Sequence, residues 1–558
     1  MRTARTWIWI LVPLWWTTPL AGQEERPLTS QAASDAAAFY NRGTVSRVTG
    51  PFRIAPGTEL AGDLATLGGP LAVAGTIDGD VLVINGDVAL GIGGRITGSL
   101  TVVGGSVTGP ASAVEGRVVV YAESLRFRRE GEQIIALDPE GESILSQSTW
   151  FGRGELVLAV DGAYNRVEGL PIALGARFEL GRSNPTVVDA RVIYRTGNGV
   201  QFHPDELGHD VRLEQYLGGH RALRVGVGWF RVIEPIEGRG VSDLENSLST
   251  FVLHRDLRDH YGRNGWQVYL EYSGRTRPVD ARIEYRDERH ESMATRTPWS
   301  LLDNDEPWRS QPQAATGELR LVRGWLRWDT RNDLEDPSAG WLLEAAVEQG
   351  LEGELVAYRA NPDPGGLPPL LARPVNAEYT ALRLEARRYL RLGPRARLAL
   401  RAVAAGSPDD GPLPPQRQHV LGGAGSLPGY TSFAFDCGAR VQPEVDGMVP
   451  YYGCDRAVLL QMEYRLALGG SSGFSVGRRL GLDFEVATTP ELVLFADAGR
   501  AWIEAESLGD RETVGPHRLQ YDAGVGLRFG WIGAYLAAPL SGEAADGLSF
   551  LIRLGPRI

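Results

Sequence analysis

Lysine is missing from this chain. All 57 basic residues among its 558 are arginine. Walker-type phosphate loops, Schiff-base lysines and Ser–Lys catalysis are thereby excluded, since each needs an amine. Cysteine is almost missing: Cys437 and Cys454 are the only two. None lies near the start, which argues against a lipid-anchored lipoprotein. No run of 18 apolar residues follows the first 22, and mean hydropathy is −0.17, which excludes a helical membrane protein. The eight histidines are scattered without metal-ligand spacing. A net charge of −12 argues against a nucleic-acid partner. Catalytic signatures fail in detail. His254-Arg255-Asp256-Leu257 looks like a kinase catalytic loop, but Tyr261 stands where its Asn belongs. Gly423-Ala424-Gly425-Ser426 lacks the order of a nucleophile elbow. Asp409-Asp410 and Asp287-Glu288 read as solvated charge. No enzyme activity, cofactor or metal is expected.

What is present falls into segments. Residues 1–22 read as a signal peptide, with Arg2 and Arg5 ahead of a short apolar stretch from Trp7 to Trp16. Residues 23–50 read as a flexible leader. In an exported chain, Cys437 and Cys454 are expected to form a disulfide, free thiols being the alternative. The bridge would stabilise its loop by roughly 3 kcal/mol in the chain-entropy model.

Residues 51–127 repeat. Gly62 and Gly69, Gly79 and Gly86, and Gly98 and Gly105 form pairs, and Gly116 continues the series. Each glycine is followed, in most cases, by a polar and then an aliphatic residue, as in Asp63-Leu64, Asp80-Val81 and Ser99-Leu100. Glycine would allow a sharp corner and the aliphatic would point inward. A β-solenoid of about 18 residues per coil is the expectation, with a β-sandwich as the alternative. The segment resembles bactofilins, polymer-forming cytoskeletal β-solenoids. Residues 128–152 read as a linker.

From residue 153 to 558, strands alternate. Leu223, Val225, Val227 and Trp229 share one face, and Val458, Leu460, Met462 and Tyr464 another. The opposite faces are polar and charged. A membrane barrel accounts for this, with apolar residues toward lipid and charges toward the lumen. Sixteen strands are expected, the even number of a closed single-chain barrel. Long connections fall at about 233–265, 288–317, 350–379 and 405–455. The expected fold class is all-β: a 16-stranded antiparallel transmembrane β-barrel behind a small N-terminal β-solenoid.

Several stretches of this region resemble the BamA/TamA outer-membrane assembly superfamily, the bacterial surface antigen family. Trp328-Asp329-Thr330-Arg331, followed by Gly340-Trp341, is similar to the family's Asp-Thr-Arg turn. Gly422, Gly423, Gly425, Leu427, Pro428, Gly429 and Tyr430 lie in a segment similar to its sixth extracellular loop. Glu463-Tyr464-Arg465 and Phe495-Ala496-Asp497 resemble the next two strands, and Tyr164 to Leu170 resembles a first-hairpin motif. The resemblance spans about 153–554. It implies that Glu463 and Asp497 are lumenal acids that pair with an Arg at the loop-six tip. Here that position is Pro428. Arg417, Arg440, Arg465 or water is therefore expected to serve them. The family's periplasmic POTRA modules are also replaced, by the solenoid.

The resemblance implies protein insertion or translocation at the outer membrane of a diderm bacterium, with the N-terminal domain periplasmic. Outer-membrane lipid would be one partner. Nascent outer-membrane proteins, or periplasmic proteins bound by the solenoid, would be others. One alternative is a structural anchor with a polymerising solenoid. Another is a passive pore, its selectivity set by Arg383, Glu385, Arg387, Arg397 and Arg401.

Overall fold

In the computed structural model, residues 46–121 wind as a parallel β-solenoid. Ser46, Leu64, Val81, Leu100 and Val118 stack in one ladder of successive coils. Inward aliphatics, among them Leu64, Val73, Ile77, Val83, Ile96 and Val102, fill the interior. The residues after the glycines explain the repeat. Asp63 Oδ1 accepts the Asp80 amide at 2.9 Å, Asp80 the Ser99 amide at 2.7 Å, and Asp87 the Ser106 amide at 2.8 Å. Each polar residue thus satisfies a corner donor on the next coil. The glycines form two columns. A Cβ at Gly98 would sit 2.5 Å from the Gly79 carbonyl oxygen, and one at Gly105 2.0 Å from that of Gly86. Close backbone approach, more than a special dihedral, requires glycine at these positions.

The structure describes residues 24–558 except for stretches of connecting chain, the longest being 200–205, 361–369, 438–447, 477–483 and 504–517. The expected signal peptide lies outside the described residues. The chain divides into two compact units, residues 1–128 with 133–136 and the remainder.

The segment expected as a flexible leader is corrected. Ser30–Tyr40 forms helix α1. Its Ala33, Ala36, Ala37 and Tyr40 cover Leu67, Leu82, Ile84 and Val103 on the outer face of a solenoid sheet. Those strands, Leu64–Leu67 and Val81–Ile84, are buried at every position, and their unbroken apolar runs record a sheet covered on both sides. Glu24–Arg26 pairs in parallel with Val119–Tyr121 of the last coil. The expected linker also carries structure: Ile134 exchanges two hydrogen bonds with Asn41 at 2.7 and 2.8 Å, and Glu142–Ser148 joins the barrel sheet.

The barrel sheet contains sixteen antiparallel strands in the expected order. They are β1 (Gly152–Val160), β2 (Pro171–Leu180), β3 (Thr186–Arg195), β4 (Leu207–Leu217), β5 (Leu223–Pro235), β6 (His260–Ser273), β7 (Val279–Ser292), β8 (Thr316–Asp329), β9 (Gly340–Ala360), β10 (Thr380–Arg391), β11 (Ala396–Gly406), β12 (Arg456–Ala467), β13 (Pro490–Trp502), β14 (Gln520–Phe529), β15 (Ile532–Pro539) and β16 (Ser549–Leu554). Two short strands extend this sheet to eighteen: Leu370–Val375 beside the upper part of β9, and Glu142–Ser148 on the outer edge of β1. Strands β5, β6, β7 and β9 run beyond their expected ends. Their added residues, such as Glu234, Arg263 and His290, are polar and had read as loop.

Burial is inverted. Leu158, Val160, Val192, Trp229, Ile283, Leu460, Phe550 and Ile552 are exposed on the outside. Glu214, Arg263, Glu288, Glu385, Glu463, Arg465 and Asp497 are buried inside. A water-facing exterior of this kind would forgo about 1.5–3 kcal/mol per large apolar side chain. A bilayer removes that cost, and closed sheets satisfy their backbone within it. The four long connections share one end of the barrel, because strand direction alternates through the sheet.

Candidate functional site in the barrel lumen

The connection 407–455 folds inward. Gly422 and Gly423 hold φ at 113° and 84°, which only glycine adopts at no steric cost. They bend the chain so that Leu421 pairs with Phe435. The disulfide Cys437–Cys454 forms, with Cα atoms 5.1 Å apart, inside an apolar cluster with Leu427, Tyr430, Phe435 and Leu459. Gly425 backs onto Gly240 so closely that a Cβ on Gly240 would lie 2.5 Å from it. The tip docks on the barrel wall. The Gly429 amide donates to Asp522 Oδ2 at 2.6 Å, and the Tyr430 hydroxyl lies 2.6 Å from the Ser541 carbonyl oxygen. Gln461 donates to the Ser426 carbonyl at 2.9 Å. Pro428 brings no cation.

Glu463 and Asp497 are buried nearby, and their charge is met from an unexpected place. Gly555, with φ at 105°, turns the chain back after β16. Arg557 then reaches inward. Its Nε lies 3.1 Å from Glu463 Oε2, and its Nη2 is 2.8 and 2.9 Å from the two oxygens of Asp497. One guanidinium fork thus joins both acids. Ile558 seats against Tyr389 and Ala399. Of the three arginines named from sequence, Arg465 donates to Glu463. Arg417 is engaged elsewhere, with Glu348 and Tyr261. Arg440 lies outside the described residues.

The Asp-Thr-Arg turn supplies the next layer. Asp329 accepts from the Arg331 side chain at 2.7 Å, and Thr330 exchanges hydrogen bonds with Trp341 at 2.8 and 3.0 Å. A Cβ on Gly340 would meet the Thr330 carbonyl at 2.2 Å. Held this way, the connection carries Asp336 to three arginines: Arg397 at 2.9 Å, Arg465 at 3.1 Å and Arg528 at 2.9 Å. Burial alone would raise the Asp336 pKa, but Arg528 and its neighbours hold it well below the usual carboxylate range. No sequence signal marked Asp336 or Arg557. Their partners are 60 or more residues away, as Asp497 is from Arg557.

A second charge cluster lies at the long-connection end. Asn165 caps the Val167 and Glu168 amides at 2.9 and 2.7 Å. The tight turn buries Arg166, which reaches Asp259 at 2.7 Å, Asp256 at 3.0 Å and Gln311 at 2.7 Å. Burial would raise Asp256, yet Arg166, His260 and Arg309 together outweigh it and hold the carboxyl at about 2. Glu168 behaves oppositely. Burial lifts it to about 7, although Arg195 lies 3.0 Å away and offsets part of the shift. The unfolded chain releases that proton near 4.5. The folded hairpin therefore binds more protons between those values, so stability falls as pH rises from 4.5 to 7. Glu168→Gln should remove a slope worth roughly 3 kcal/mol across this window. Urea midpoints of the detergent-solubilised barrel, taken at intervals across that window, check this.

The arginines and glutamate considered for a pore are paired with one another or with neighbours. Glu385 accepts from Arg383 at 2.6 Å, Arg387 at 2.8 Å and Arg401 at 2.8 Å, while Arg397 binds Asp336 and Glu491.

BamA from Haemophilus ducreyi lacking POTRA domains 1–3 is similar at 13% identity over 78% of this chain and 75% of that one, with a TM-score of 0.43. CdiB from Escherichia coli is similar at 13% identity over 77% and 67%, with a TM-score of 0.31. No curated protein shows detectable similarity. Residues 244–541, more than half the chain and including the docked loop and the acids it covers, match the Omp85 superfamily domain; the chain belongs to the Omp85 superfamily.

Proposed function

We propose that this barrel inserts or translocates proteins at the outer membrane, using the seam between β1 and β16, with the solenoid on the periplasmic side. The observation that carries this reading is the state of β16. Among the described residues its outer edge has no strand partner, whereas the matching edge of β1 is taken by Glu142–Ser148. Its Phe550 and Ile552 face outward at 65% and 58% exposure. An open edge of this kind can template an incoming strand. The strand is also short. Six residues rise about 20 Å before tilt, against about 30 Å of hydrocarbon. Lipid beside the seam would have to thin, which lowers the barrier to lateral passage. The docked loop and the arginine clamp would keep β12 to β16 rigid while the edge works. Substrates would be unfolded outer-membrane proteins, and the solenoid would present a surface to periplasmic partners.

Depletion in the native host should lower the levels of other outer-membrane barrels. Liposomes containing the purified protein should also speed the folding of a urea-unfolded small barrel over empty liposomes. Unchanged levels together with unchanged folding rates would sink the proposal.

A further inference from the structure

The connection between β5 and β6 holds helix α2 (Asp243–Leu253), whose sidedness is reversed relative to a helix on a soluble protein. Ser242 caps it, accepting the Glu245 amide at 3.1 Å, and His254 ends it in the left-handed region. Glu245, Asn246 and Thr250 are buried. Leu244, Leu248 and Phe251, one face at i, i+4 and i+7, are 53%, 42% and 42% exposed.

Helix α2 touches the β1–β2 hairpin and the last strand of the barrel sheet. On one side stands the β1–β2 hairpin. The Tyr164 amide donates to Ser247 Oγ at 2.9 Å, and the Tyr164 ring meets Phe251 edge-on at 5.7 Å. On the other side stands β16, where Arg553 Nε lies 2.7 Å from Glu245 Oε1 and the Arg553 guanidinium also binds the Gly240 carbonyl. The connection after β7 continues the apolar face. The Leu301 and Leu302 amides donate to the Phe251 and Val252 carbonyls at 2.7 and 3.1 Å. Trp299, Leu301 and Leu302 are each about half exposed. This patch is continuous in character with the outward Leu158 and Val160 of β1 and the outward Phe550 and Ile552 of β16.

We infer that α2 is a helical stave of the barrel wall: it lies between the β1–β2 hairpin and the C-terminal part of β16 and presents Leu244, Leu248 and Phe251 to lipid acyl chains. The polar face meets lumenal charge and the apolar face continues the lipid-facing band, so each face matches its surroundings. Trp299 sits where an interfacial aromatic would anchor the rim. Any strand exchange at the seam must first part Glu245 from Arg553 and Ser247 from Tyr164.

The test uses the full-length protein in liposomes. No free cysteine occurs among the described residues, so Leu248→Cys adds a thiol that can be labelled with an environment-sensitive fluorophore. Leu244→Cys is the second variant should the first fold poorly. Ile552→Cys serves as the lipid-facing reference and Gly43→Cys as the aqueous one. Lipids brominated in their acyl chains should quench the Leu248 and Ile552 labels about three-fold more than the Gly43 label, with iodide giving the reverse order. Quenching of Leu248 by iodide at the level of Gly43 would overturn the inference. So would protection from both quenchers together with a dimer in detergent, since a second copy would then cover the helix. Either failure can occur while insertion activity persists, so this result and the functional reading stand or fall separately.

Discussion

Arg557→Ala should lower the stability of the barrel by about 3–5 kcal/mol, the usual cost of removing one partner from a buried charge pair. Arg557 is fully buried with Glu463 and Asp497. After its loss, Glu463 keeps Arg465, while Asp497 faces Asp522 across the β13–β14 ladder. Asp522 itself has only the Gly429 amide of the loop tip as a donor among the hydrogen bonds described. The expected damage is therefore asymmetric: Asp497 and the tip of the inward loop suffer first. Arg557→Lys should recover only part of the loss, since an ammonium cannot bridge two carboxylates as a planar fork does. Asp497→Asn in the Arg557→Ala background should recover more, by removing the stranded charge. Urea midpoints in detergent measure all four proteins. If Arg557→Ala unfolds at the wild-type midpoint, the clamp does not hold the barrel.

Gly105→Ala should disrupt the solenoid while sparing the barrel, at a cost of at least about 3 kcal/mol, the upper end for overpacking. The added Cβ would lie 2.0 Å from the Gly86 carbonyl oxygen and 2.6 Å from its carbon. Both are backbone atoms in a stacked coil, so no side chain can rotate away. Gly86 stands in the same relation to Gly69, at 2.1 Å, so relaxing one coil transfers the clash to the next. Gly43→Ala is the control, because a Cβ there meets nothing within 4 Å. Limited proteolysis should degrade the first 136 residues of Gly105→Ala rapidly, leave those of Gly43→Ala intact, and release a barrel that still shifts mobility on heating. Equal resistance in the two variants would refute the column argument.

The parts legible in the sequence were those written in local period. Alternation over about ten residues fixes a strand and its two faces, and the sixteen barrel strands fall where that alternation puts them. The Gly-polar-aliphatic step carried the coil, though not the reason for glycine, which appears only when coils lie on one another. Helix α1 was missed because its Ala-Ser-Gln composition has little apolar contrast; the stronger sign lay in its partner, where Val81-Leu82-Val83-Ile84 is apolar on both faces. Helix α2 was read as loop because Leu244, Leu248 and Phe251 are only three residues in a long connection. The lumen was half legible. Glu463 and Asp497 could be named from their strands, but Arg557 is 94 and 60 residues from them, and nothing local ties a terminal Pro-Arg-Ile to an acid. Long-range charge pairing is set by the assembled sheet and its inward connections, which no window of sequence contains.

Among the described residues, every permanently charged cation that holds a carboxylate in the barrel is a guanidinium; the histidines beside carboxylates are His260 at Asp256, His290 at Glu288 and His419 at Glu237. Guanidinium groups do not surrender a proton within the range of natural waters. Alkali thus has no positive charge to erase there, and acylating agents that attack primary amines find no target. Acid alone can undo the wiring, by neutralising the carboxylate half of each pair.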